Sequence, residues 1–219
     1  MKKKERVLSY YIRTTWSYLQ VIIVAFIIVF GFIRPFVVEA FKIPSGSMED
    51  TLLVGDRILV CKFMYGIKVP GIKHRLFDFH NPQRGDVIVF VPPHDRKRNF
   101  IKRVVGVATD TIETRHNGRT LYVNEIPAND DKYVKHTRYM SDSLPYLPHK
   151  VSEGYLYAMG DNRDNSQDSR FWGPVDIDDV KGQAFMIYWS YDSENSRWNI
   201  FKNIRFGRLL NIIHSQKIP

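Results

Sequence analysis

The sequence predicts a mainly-β domain tethered to a membrane by one N-terminal helix. Three observations carry that prediction. One uncharged apolar run lies near the start of the chain, short β-branched segments punctuated by turn residues fill the rest, and the surplus charge sits at the two ends. The 219 residues, 44% of them hydrophobic, suit one folded domain with a core of its own.

Residues 1–15 form a basic N-terminus, with Lys2, Lys3, Lys4, Arg6 and Arg13 against Glu5. From Trp16 to Ile33 the chain reads WSYLQVIIVAFIIVFGFI without a charge. As a helix that run is about 27 Å long, close to the ~30 Å hydrocarbon core of a bilayer. A buried core helix would keep a polar face, and this run has almost none. A cleaved signal peptide would be shorter, and Phe30, Phe32 and Ile33 offer no small-residue cleavage pattern. The reading is an uncleaved anchor over residues 16–34. The positive-inside bias places the N-terminus in the cytoplasm and residues 35–219 outside, with 35–196 as the body.

Within the body, DRILVCKFMYG (56–66), RGDVIVFVPP (84–93), NFIKRVVGV (99–107), GRTLYVNEIP (118–127), GYLYAMGD (154–161) and GQAFMIYWS (182–190) read as strands. Gly71, Pro82, Pro92–Pro93, Asn117–Gly118 and Pro127 punctuate them, and HNGRTLYVNEIPA reads as a hairpin turning at or near Asn117–Gly118. Residues 129–154 are polar and weakly patterned, an expected irregular excursion. Residues 197–219 mix apolar side chains with five cations and no acid. Two readings stay open for them: an amphipathic segment lying on an anionic leaflet, or a final strand and helix packed on the core.

The net charge of +9 belongs to residues 1–15 and 197–219, which leaves the part between neutral. That distribution points to lipid headgroups and away from nucleic acid. The sole cysteine, Cys61, cannot form an intramolecular disulfide. The seven histidines show neither helical pairing nor cysteine companions, so no metal site is expected.

Three stretches carry chemistry. In KIPSGSMEDTL (42–52), Pro44 favours an extended approach and Gly46 permits a turn, so one hydroxyl could be aimed outward; a flexible linker reads the same way. In NFIKRVV, alternation puts Phe100, Lys102 and Val104 on one strand face. A lysine between large apolar neighbours is a candidate for burial, which lowers its pKa and frees its amine to deprotonate a serine. A lysine snorkelling from an edge strand fits equally. The run Gly160–Arg170, GDNRDNSQDSR, packs acids, arginines and hydroxyls as a hydrogen-bonded network would, or as a surface loop.

Taken together, in order and spacing, IPSGSM, RGDVIVF, FIKRVVG and MGDNRDNSQDSRFWG resemble the boxes of the bacterial type I signal peptidases, over about Phe36 to Ser190. The resemblance implies two antiparallel β-sheets forming a catalytic core, with a variable insertion at about 111–154. It implies a Ser-Lys serine endopeptidase that removes signal peptides from exported preproteins after small residues, at the bacterial inner membrane. Ser47 would be the nucleophile and Lys102 its general base. Ser45 would lend its hydroxyl to an oxyanion hole with the backbone N–H of Ser47. Ser166 would hydrogen-bond and orient Lys102, and Asp161, Arg163, Asp168 and Arg170 would form a supporting shell. No cofactor is implied. The expected partners are preprotein signal peptides and the lipid bilayer, with no nucleic acid, and the protein is expected as a monomer. Two departures stand out: Asp50 where the family usually has proline, and Ala108–Thr109 where it usually has Pro-Gly. Two rivals remain, a catalytically inactive tethered domain that binds exported chains and a related Ser-Lys protease with one dedicated substrate.

Overall fold

The computed structural model describes residues 2–66, 79–130, 132–136, 144–192 and 200–219. Gly71, residues 197–199 and part of the 129–154 segment lie outside them. The N-terminal helix α1 runs Lys2–Phe26, and its turns widen to i→i+5 bonding over Ile27–Val37. The stretch Arg13–Gly31 is long and apolar enough to cross a membrane, and none of it is buried against the body. A core helix would be covered there.

The chain leaves the helix directly into β1 (Val38–Lys42), a strand that the apolar pattern did not reveal. It pairs with β2 (Asp56–Cys61). Then come β3 (Val87–Phe90), β4 (Phe100–Gly106), β5 (Thr111–Arg115), β6 (Thr120–Val123), β7 (Ile126–Pro127), β8 (His149–Lys150), β9 (Tyr155–Met159), β10 (Val175–Asp176), β11 (Val180–Ser190) and β12 (Asn211–Ile212). One antiparallel sheet of eight strands is ordered β1-β2-β11-β3-β4-β9-β10, with β12 added on β11; a second, of four strands, is ordered β7-β6-β5-β8. The mainly-β class with two antiparallel sheets stands as expected.

β3 shows why the larger sheet holds. All four of its residues are buried, Val87 and Val89 in one apolar cluster with Met48, Leu52 and Ile187, Ile88 and Phe90 in another with Tyr65, Val104 and Val180. A strand covered on both faces needs no polar alternation, which is why it reads as a continuous apolar run. A third cluster joins Val105 of β4 to Ile112, Leu121 and Val123 of the smaller sheet.

Most of the expected strands are shorter than their sequence suggested, and two of them show why. The run from Asp56 ends at Cys61, and a 3₁₀ turn follows at Phe63–Tyr65. The run from Gly118 breaks at Asn124 and Glu125, both at positive φ (52° and 67°), so β6 folds straight back into β7. The Asn117–Gly118 turn joins β5 to β6 as the hairpin reading required.

Residues 129–154 are more than an excursion. Asp130 is buried, and the backbone of Lys135 brackets the Asp161–Arg163 loop, its N–H donating to the Asp161 carbonyl (2.8 Å) and its carbonyl accepting from Arg163 (3.0 Å). Of the two readings for the C-terminus, the described residues 200–219 show the packed one. Ile213 and Ile218 enter two different clusters, and Arg208 donates to the buried Asp56 at 2.7 Å. Phe206, Leu210 and Ile212 nevertheless stay exposed.

Candidate active site

Ser47 lies in a single 3₁₀ turn, Gly46–Met48, between β1 and β2. Its entrance is fixed by an extended Ser45 (φ −139°, ψ 156°) and by Ile43, whose N–H donates to Asp56 and whose carbonyl accepts from Gly55. Its exit is fixed by Met48 and Leu52, both fully buried. Apolar anchors on one side thus hold a hydroxyl-bearing turn rigid. Ser47 is 9% exposed, while Ser45 is exposed and its side chain does not cap the turn.

Lys102 reaches this turn from β4. Its neighbours obey the predicted alternation: Phe100 and Val104 pack in one cluster, Ile101 against another. The side chain is 3% exposed, and Nζ donates to Ser47 Oγ at 2.6 Å. Burial pushes its pKa down to about 8, against the pull of the Asp168 and Asp161 carboxylates, with the Arg170 guanidinium adding to the depression. Roughly a tenth to a fifth of the amine is therefore neutral near pH 7 to 7.4, far more than for an ordinary lysine.

The 160–170 loop clasps the serine turn. The Asn162 N–H donates to the Ser47 carbonyl (3.1 Å), and Nδ2 donates to the Gly46 carbonyl and to Glu49 Oε2, both at 3.0 Å. Gly160 allows the approach: a Cβ there would fall 2.5 Å from the Ser47 carbonyl oxygen and 2.3 Å from Ser166 Oγ. Ser166 is buried beside it on the side of the Asp168 carboxylate, and the expected bond from its Oγ to Lys102 is not formed in this structure. The glycine corridor holds Ser166 close to the serine turn without aligning its hydroxyl on Lys102.

The four charged residues expected as a shell do not form one closed network. Asp168 and Arg170 pair with each other at 2.8 Å, and Asp168 also accepts the Gly160 N–H at 3.0 Å. Burial would raise the Asp168 carboxyl, yet the adjoining Arg170 guanidinium holds it below its ordinary value. Asp161 instead pairs with Arg103, which donates from Nε (2.9 Å) and Nη2 (2.7 Å), and accepts from Thr51 Oγ1 at 2.6 Å. Arg163 pairs with Asp130. Arg103, Thr51, Asn162 and Asp130 were not singled out from the sequence. Arg103 carried the signal used for Lys102, apolar neighbours two residues away on each side (Ile101 and Val105). Asp130 carried none, because its partner lies across the fold.

The arrangement offers a hydroxyl in contact with a buried, pKa-depressed amine, on a turn whose backbone is fixed from two sides. That is the geometry for generating a serine alkoxide without histidine. A model of the family described as "Signal peptidase, peptidase S26" matches residues 15–189. Among curated proteins, Signal peptidase I of Pseudomonas fluorescens is 38% identical, the match covering 73% of this chain and 67% of that protein. Signal peptidase I of Buchnera aphidicola is 31% identical, over 96% of this chain and 84% of its own length. That of Aquifex aeolicus is 32% identical, over 73% and 78%.

Proposed function

The chain belongs to the signal peptidase family, peptidase S26, and is a serine endopeptidase; from that premise we propose the residues that act and the place where they act. Ser47 Oγ attacks the scissile carbonyl while the neutral Lys102 amine takes its proton. The hydrogen bond between them then runs from the hydroxyl to the nitrogen lone pair. The observation that carries this reading is the 2.6 Å contact of a lysine that is 3% exposed. The Ser45 hydroxyl, which caps nothing, and the Ser47 N–H receive the developing oxyanion. Ser166 completes the surroundings of Lys102, and the Arg103–Asp161 and Asp168–Arg170 pairs hold the two loops around it.

The preprotein binds in extended form as an added strand, presenting small side chains before the cleaved bond. The anchor keeps the site by the bilayer: Ser47 follows Val37 by ten residues, at most about 36 Å of extended chain. We place the protein in the bacterial inner membrane with its basic N-terminus in the cytoplasm, on the strength of the charge asymmetry.

The test is cleavage of a preprotein by the full chain in detergent, with the new N-terminus read by mass spectrometry. Ser47→Ala should abolish cleavage with unchanged thermal stability. Lys102→Arg should be equally inactive, because a guanidinium keeps its proton. Ser45→Ala should lower kcat about 10²–10³-fold, as one oxyanion donor does. Normal cleavage by either of the first two variants removes the dyad.

A further inference from the structure

The structure holds a concavity whose lining includes neither Ser47 nor Lys102. It is a cavity of about 250 Å³ lined by Lys42, Gly55, Arg57, Trp189 and Tyr191. Strand register builds it: Lys42 of β1 stands opposite Arg57 of β2, which stands opposite Trp189 of β11. Facing residues in paired antiparallel strands point to the same side, so two cations and an indole form one cross-strand row. Gly55 forms part of the wall. It lies at φ 93°, and a Cβ there would fall 2.0 Å from the Tyr191 carbonyl oxygen, so only glycine lets these two backbone segments meet at the wall. Tyr191 is fixed in turn by Asn203, whose Nδ2 donates to the phenol oxygen at 3.1 Å.

The charge of this row has no internal use. Lys42 and Arg57 are exposed, and neither forms an ion pair or hydrogen bond among the described residues. The nearby acid, Asp192, is paired with Arg205 at 3.0 Å, and Arg205 also donates to the Val54 carbonyl at the margin of the cavity. The surroundings are apolar as well as basic, since Val54 and Phe206 next to Arg205 are 40% and 61% exposed. Two unpaired cations set against indole and phenol rings match a group that is anionic at one end and apolar at the other. Trp and Tyr concentrate where headgroups meet acyl chains.

We propose that this cavity binds the phosphate ester of an anionic membrane lipid, with Lys42 and Arg57 on the phosphate oxygens and Trp189 and Tyr191 beside the glycerol and upper acyl chain. The proposal rests on the reading of α1 as a membrane anchor. Lys42 lies five residues beyond Val37, where the helix ends, so it is within about 18 Å of that end. A planar guanidinium suits two phosphate oxygens at once, and the lysine adds a point charge. Bound lipid would hold the sheet at the bilayer surface by a contact independent of the anchor.

The test uses the full chain in nonionic detergent micelles with dioleoyl phosphatidylglycerol added, and native mass spectrometry to count retained lipid. Lys42→Gln with Arg57→Gln should weaken retention tenfold or more. Lys97→Gln with Lys150→Gln removes the same charge from exposed positions elsewhere and should leave retention unchanged. Equal retention by wild type and the first variant overturns the proposal, as does an equal loss in both variants, which would mean attraction by net charge alone. Excess inorganic phosphate should not release the lipid; if it does, free phosphate is the ligand and the lipid assignment falls. Retention is read from mass and needs no cleavage, so a failure here leaves the peptidase reading standing, and a failed cleavage assay leaves this one.

Discussion

A neutral Lys102 fixes the sign of the pH dependence. Only the unprotonated amine can accept the Ser47 proton, so kcat/KM should rise as pH increases through about 8 and fall away in acid. A titration of cleavage rate across pH 6 to 10 checks this; a flat profile would remove Lys102 from the role of base. Stability moves in the same direction. The folded state lowers this lysine from 10.5 to about 8, so the unfolded chain binds more protons in that window and stability climbs from pH 8 to about 10.5. Below pH 8 the penalty is fully present. Lys102→Met, inactive, should therefore be more stable than wild type at pH 7, by up to about 3 kcal/mol, with the difference fading above pH 10. Urea unfolding at the two pH values measures it. Ser166 gives a second separation of roles. Its buried hydroxyl does not bond Lys102 and makes only a minor contribution to holding the Asp168 carboxylate down, so Ser166→Ala should cost little thermal stability. If the hydroxyl orients Lys102 once substrate is bound, the same variant should keep only weak activity; full activity would limit Ser166 to packing.

The turn after β4 shows what an element demands of its residues. The Val107 carbonyl accepts from the Asp110 N–H at 3.1 Å, and Thr109, at the third position of that turn, has φ 75°. This is the conformation for which such turns recruit glycine, and here it is taken by a β-branched residue. The departure from the family's Pro-Gly is thus a strained version of the same turn. Ala108→Pro with Thr109→Gly should raise stability by about 1–2 kcal/mol, read as an increase in Tm. No increase would show that the turn has relaxed by other means. Asp50, the other departure, sits at φ 81°, which proline cannot adopt, so the backbone there takes a different path from one built on proline. Elements with strong apolar character were legible in the sequence: the anchor, β3, β4, β9 and β11. β1, β5, β8, β10 and β12 were not, because strands of two to five residues in polar sequence acquire their pairing from partners far along the chain. The same reason divides the site. Local sequence marked the Ser47 turn and Lys102 only as candidates, and their roles came from the resemblance of four stretches taken together, whereas the Arg103–Asp161 and Arg163–Asp130 pairs exist only once distant segments meet.

At the scale of the whole molecule, the orientation of helix and body is the property to test. With the basic flank inside, protease added to spheroplasts should digest the body and spare residues 1–15; digestion limited to those residues would reverse the orientation. The C-terminal segment is tied into the body at several points, with Arg208 on Asp56, Ser215 Oγ donating to Asp86 at 2.6 Å and Ile213 in the core. Deletion of 199–219 should therefore lower Tm and, because Asn203 holds Tyr191, should weaken lipid retention as well.

The position of β11 between β2 and β3 has a consequence in time. It pairs Ser190 with Asp56, and their side chains join at 2.6 Å across a separation of 134 residues. In a body exported from its N-terminal end, Ser47 and Lys102 emerge well before the loop at 160–170 and the strand that closes the sheet. At about 5–20 residues per second, the chain from Lys102 to Ser190 takes roughly 5–20 s to appear. Such long-range pairing also folds slowly once it is available. During that interval nucleophile and base are both outside the membrane but not yet held together. A protease exported in this way would stay silent until β11 arrives, and its cutting would begin only when its own export is nearly finished.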